Sequence, residues 1–124
     1  MNLFFSEKLN CSACHSGFNF TDNSFKNNGL YVTYEDQGRK RVTSLEEDRG
    51  LFRVPTLRNV ALTFPYMHDG SVTTLEEVID HYASGGVGYK NQSDLVQGFK
   101  ISKEEKADVI AFLQSLTDST FVNN

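Results

Sequence analysis

Apolar residues recur with a helical period in two stretches of the second half of the chain. Leu75, Val78, Ile79 and Tyr82 stand three and four positions apart and so share one face of a helix. Thr73-Thr74-Leu75-Glu76, just ahead of them, has the spacing of a capping box, in which a hydroxyl and a carboxylate satisfy the first free amides; it predicts a helix running through residue 83. Ser102-Lys103-Glu104-Glu105 repeats that box before Val109, Ile110, Phe112, Leu113 and Leu116, which predicts a second helix. Gly85-Gly86-Val87-Gly88 stops the first helix, residues 87 to 100 read as loop, and the polar tail after Leu116 is expected to fray.

The first half is less periodic. Leu3-Phe4-Phe5-Ser6-Glu7-Lys8-Leu9 has an amphipathic helical pattern, and residues 2 to 15 read as a helix ending in a turn. Gly17 and the stretch from Asn19 to Asn28 form a polar loop interrupted by Phe18, Phe20 and Phe25. Leu30 to Tyr34 and Arg39 to Thr43 flank Glu35-Asp36-Gln37-Gly38, the pattern of a small β-hairpin or an extended surface loop. No internal repeat or low-complexity segment interrupts the chain. The expected class is all-α with irregular loops and a small β-hairpin, built as one domain over residues 1 to 124.

Composition narrows the function. The chain has 124 residues, 39% of them hydrophobic, with ten Phe, five Tyr and no Trp. Its formal charge of -4 argues against nucleic acid as a partner. It holds no run of the roughly 18 apolar residues that a membrane span needs. The charges between Glu35 and Arg49 read most simply as a solvated face, with a docking patch for a protein partner as the alternative.

The sharpest motif is Cys11-Ser12-Ala13-Cys14-His15, the C-x-x-C-H attachment signature of c-type haem. Two thiols at this spacing reach the two vinyl groups of one porphyrin, and the adjacent imidazole reaches its iron. These are the only two cysteines, so none remains for a disulfide framework or a four-ligand metal site. A thiol-redox C-x-x-C needs a βαβ context, which the preceding segment lacks, and a zinc site needs histidines closer than His68 and His81. One covalent haem is expected, and its apolar area would help a Phe-rich core to form in so short a chain. Bacterial haem attachment takes place outside the cytoplasm, so a periplasmic or otherwise exported protein is expected. Met1 lies too close to Cys11 to leave room for a targeting segment, which suggests a processed or truncated piece.

Further motifs carry a family resemblance. The run from Leu51 through Arg53-Val54-Pro55-Thr56-Leu57-Arg58-Asn59 to Thr63, then Pro65-Tyr66-Met67-His68-Asp69-Gly70 and Thr74-Leu75-Glu76-Glu77-Val78, together with Ile110-Ala111-Phe112-Leu113-Gln114-Ser115-Leu116, resembles the C-terminal haem domain of the bacterial di-haem cytochrome c peroxidase and MauG family. With the cysteine motif the likeness spans residues 3 to 117. It implies a cytochrome c-like fold and the C-terminal part of a longer di-haem protein. In such proteins an N-terminal haem domain binds hydrogen peroxide, while the C-terminal haem takes electrons from a small redox donor protein and relays them. Two other readings stay open: a free-standing monohaem electron shuttle, and a five-coordinate haem with peroxidase activity of its own.

His15 is the proximal ligand by motif. On the far side Met67, His68, His81 and Tyr82 are candidates. The resemblance implies Tyr82, which stands where the peroxidases place a Met and MauG a Tyr; the bland alternative is a core tyrosine on the helix stripe. Met67 competes as a loop methionine after Pro65, like the ligand loop of small monohaem cytochromes. The resemblance makes His68 a neighbour of the haem that does not bind iron, Arg58 a contact for a haem propionate or a surface ion pair, and the carbonyls of Thr63 and Pro65 part of a Ca²⁺ site between domains. Without the second domain that cation lacks ligands. His81 is expected to face solvent.

Overall fold

In the computed structural model, which describes residues 3–118, both capping sequences start helices. The chain forms α1 (Lys40–Thr43), α2 (Leu75–Ser84) and α3 (Lys103–Ser115), with short 3-10 turns at Cys11–Ala13, Glu46–Asp48 and Val60–Leu62. Ser102 closes the capping box of α3: its hydroxyl accepts from Glu105 N at 3.1 Å, and the Glu105 carboxylate accepts from Ser102 N at 3.0 Å. In α2 the cap is Thr74 rather than Thr73, accepting from Glu77 N at 3.2 Å. Gly85, at φ 85, ends that helix in a left-handed conformation that a Cβ would disfavour.

The two long helices bury their periodic faces together. Leu75 and Ile79 of α2 meet Val109, Ile110 and Leu113 of α3, and Phe4, Leu9, Val60 and Leu116 complete the core. Val78 and Tyr82 lie one step round α2, are half-buried, and stand outside this core.

The N-terminal helix expected over residues 2 to 15 is replaced by successive turns and the 3-10 turn Cys11–Ala13. Ser6 explains part of this, because its hydroxyl donates to Leu3 O at 2.6 Å and competes for a helical carbonyl. Asn10 then adopts a left-handed conformation at φ 61 and stops any continuation into the cysteines. Phe4 and Leu9 still reach the core, so the apolar pattern is kept without the helix.

A small antiparallel sheet is present, formed by other residues than the expected ones. Strand β1 (Phe25–Lys26) pairs with β2 (Phe52–Arg53), Phe25 opposite Arg53 and Lys26 opposite Phe52. Residues 30 to 34 curl instead of extending, because the Tyr34 hydroxyl accepts from Leu30 N at 3.1 Å and Tyr31 N at 3.3 Å. Residues 40 to 43 form α1, and Arg39 N donates to Leu51 O at 2.8 Å rather than back toward Tyr34. Residues 87 to 100 are loop, as expected. The tail expected to fray lies outside the described residues from position 119 onward. Among the described residues no helix is long and apolar enough to cross a membrane.

Two polar clusters tie the loops down. Asn27, 1% exposed, donates to Gly50 O and accepts from Gly29 N, both at 2.8 Å, so each end of its buried amide is satisfied. Glu46 gathers Lys40 at 2.7 Å, Arg49 at 2.8 Å and Lys90 at 3.1 Å, fastening the region around α1 to the loop after α2. This supports the solvated-face reading of that charged segment.

Arg49, then Lys40 and Lys90, hold the Glu46 carboxyl below its ordinary value of 4.5. The unfolded chain therefore binds more protons at acid pH, and stability rises with pH through that window. Glu46→Gln is expected to lower the denaturation midpoint at pH 7. The gap to the unsubstituted protein should close as pH falls below 4.5, measured by urea unfolding across the range.

Candidate haem site

The 3-10 turn at Cys11–Ala13 brings the residues of the cysteine motif into one tight bend, where Cys14 N and His15 N both donate to Cys11 O. His15 Nδ1 lies 2.8 Å from Phe20 O. A carbonyl only accepts, so Nδ1 carries the hydrogen and Nε2 presents its lone pair. Burial holds the imidazole below its ordinary value, against the opposing pull of the Phe20 and Pro55 carbonyls. A neutral, oriented imidazole with one free nitrogen is what iron ligation requires.

The loop supplying that carbonyl is clamped by the segment from Val54 to Arg58. Thr21 Oγ1 donates to Val54 O at 2.6 Å, Thr56 Oγ1 donates to Asn19 O at 2.5 Å, and Arg58 gives Nε and Nη2 to Phe18 O at 3.0 and 2.8 Å. The Arg58 guanidinium also lies over the Phe18 and Phe20 rings, 4.8 and 5.0 Å from their centroids.

Both cysteines are free and half-buried. Burial pushes the Cys11 thiol up to about 11 and raises that of Cys14. A thiol-redox site depends on the opposite shift, toward a thiolate at neutral pH, so the thioredoxin-like reading finds no support in this environment. Among the described residues no three His, Cys, Asp or Glu side chains gather as a zinc centre would need.

Tyr82, on α2, lies within electrostatic reach of Cys14 and Cys11. Burial pushes its phenol up, and a hydrogen bond from Asn28 acts in the opposite direction. Asn28 Nδ2 is 3.2 Å from Tyr82 Oη and 3.2 Å from Met67 Sδ, so one amide joins two of the candidate ligands. The sequence carried no signal for Asn28, since Asn27-Asn28-Gly29 reads only as turn composition.

Of the remaining candidates, His81 adjoins this group through the Asn28 main chain. His81 is half-buried and donates from Nε2 to Asn28 O at 2.8 Å, which corrects the expectation that it faces solvent. His68 is exposed and stacks on Phe52, centroids 3.9 Å apart and planes 9° apart, beside Tyr31 and Tyr34. Arg58 binds the Phe18 carbonyl through two nitrogens. Thr63 and Pro65 are exposed on the stretch after Val60–Leu62.

The fold and the cysteine turn place the protein in a known class. Residues 3–117 match the family model for cytochrome c, and the chain belongs to the cytochrome c family, whose domains carry covalent haem c. It is 41% identical over 109 residues to the methylamine utilization protein MauG of Methylophilus methylotrophus, across 88% of this chain and 32% of that protein. It is 36% identical over 111 residues to the cytochrome c551 peroxidase of Nitrosomonas europaea, across 86% and 30%. A crystal structure of a MauG-like protein associated with microbial copper homeostasis matches with a TM-score of 0.90 at 39% identity, covering 94% of this chain and 45% of that one. The diheme peroxidase BthA from Burkholderia thailandensis shares the fold, with a TM-score of 0.72 at 20% identity over 94% of this chain and 41% of that one. The chain spans about a third of the length of the curated relatives it matches.

Arg58 holds its carbonyl with a two-pronged donor that a lysine cannot reproduce. Arg58→Lys is expected to destabilise the protein by about 1 kcal/mol, nearly as much as Arg58→Ala, measured by chemical denaturation.

Proposed function

We propose that this chain is the electron-transfer haem domain of a di-haem protein of the cytochrome c peroxidase and MauG type. Cys11 and Cys14 would hold one haem c through thioethers, and His15 Nε2 would bind the iron from the proximal side. The observation that carries the reading is the His15 ring: its Nδ1 hydrogen is committed to Phe20 O, on the same turn as the two thiols. Bound haem supplies a reversible one-electron iron couple.

The chain's own residues orient and enclose that group. The clamp from Val54 to Arg58 fixes the proximal loop, and the Tyr82 phenol is the far-side ligand we favour, because it stands outside the core and near the thiols. A tyrosinate ligand from Tyr82 would favour the oxidised iron, which suits electron relay over peroxide binding at this haem. It also disfavours the reading of this domain as a peroxidase by itself.

The partner is then an N-terminal haem domain of the same protein, where hydrogen peroxide would be reduced, with a small redox protein as donor. Exposed Thr63 and Pro65 would offer their carbonyls to a Ca²⁺ held with that domain. Covalent haem attachment outside the cytoplasm supports a periplasmic or otherwise exported location.

The test is the intact protein produced with haem-attachment machinery. Haem should survive denaturing electrophoresis in the unsubstituted protein and be lost when Cys11→Ala and Cys14→Ala are combined. The ferric absorption spectrum should change in Tyr82→Phe and stay the same in Met67→Leu. An unchanged spectrum in Tyr82→Phe would eliminate the phenolate.

A further inference from the structure

We infer that Asn28 is the positioning residue for the far-side ligand: its amide orients Tyr82 toward the iron and holds Met67 back as the alternate ligand. This rests on the reading of Tyr82 as the ligand.

The amide group has two hydrogens, and both are used. Nδ2 donates to Tyr82 Oη and to Met67 Sδ, each at 3.2 Å. A thioether sulfur accepts and has no hydrogen to give, which settles which end of the carboxamide faces the pair. The Asn28 main chain is fixed in turn. His81 donates to its carbonyl at 2.8 Å, and the buried Asn27 amide bonds Gly50 on one side and Gly29 on the other. Gly29 lacks a Cβ where one would collide with Gln92, so the segment lies tightly against the loop after α2.

For Tyr82, the amide hydrogen occupies one oxygen lone pair, and among the described residues the hydroxyl has no second hydrogen-bond partner. The Asn28 bond would therefore stay intact if a metal took the place of the phenolic proton. The same N–H stabilises the negative oxygen once the proton is gone. For Met67 the effect is opposite, since the sulfur is tied down in a loop whose backbone sits at φ 71, an unusual conformation for a side chain of that size. A hard phenolate favours ferric iron and a soft thioether favours ferrous iron, so the amide biases the site toward the oxidised state.

The experiment compares the intact haem-loaded protein with Asn28→Leu, Asn28→Asp, Tyr82→Phe and Met67→Leu, reading the iron–phenolate band by resonance Raman and the midpoint potential by spectroelectrochemistry. Asn28→Leu is expected to lose or weaken that band and to shift the potential upward, with the shift reversed when Met67→Leu is added. Asn28→Asp keeps size and polarity but lacks the donor, and should lose the band even if the leucine variant fails to fold. If Tyr82→Phe leaves the band unchanged, the ligand reading itself falls. If Tyr82→Phe abolishes the band while Asn28→Asp retains both band and potential, the ligand reading stands and the role given to Asn28 is overturned.

Discussion

A single hydrogen bond, from His15 Nδ1 to the carbonyl of Phe20, is the constraint on which the half of this domain around the cysteine turn depends. It decides the imidazole tautomer, and with it which nitrogen can bind a metal. A bond between residues so near in sequence is easily made but also easily lost, because the loop between them has little secondary structure. The clamp from Thr56 and Arg58, with Thr21 reaching back to Val54, supplies the rigidity that the loop lacks. Arg58 adds contact over two phenylalanine rings, so the clamp is partly apolar and not only polar.

The opposite half is built by the same strategy with different parts. Asn27 is a buried amide bonded at both ends, and it fixes the backbone on either side of Asn28. From there one side chain reaches Tyr82 on α2 and Met67 on the Pro65 loop. Helix α2 divides its labour by face. Leu75 and Ile79 pack into the core with α3, while Tyr82 stands outside that core and meets Asn28. The helices thus provide the frame, and short loops pinned by amides provide the site.

How much of this the sequence disclosed follows from what each signal measures. Ser102 and Thr74 mark helix starts through local bonds, and both helices form. The cysteine motif is likewise local, and the turn it predicts is present. The N-terminal helix gives way to turns because Ser6 and Asn10 favour them, and the small sheet forms from other residues because the partner of Phe25–Lys26 lies far along the chain at Phe52–Arg53. Asn28 and the clamping role of Arg58 were invisible because they consist of contacts between distant segments. His81 turns inward for the same reason, since only the fold brings Asn28 O within its reach.

The most direct measurement is proton NMR of the ferric haem-loaded protein, following the imidazole N–H of His15. An iron-bound His15 with its Nδ1–H given to Phe20 predicts one hyperfine-shifted, slowly exchanging N–H with cross-relaxation to Phe20. Rapid exchange of that proton, or its absence from the hyperfine-shifted region, would contradict the assignment of His15 as the oriented proximal ligand.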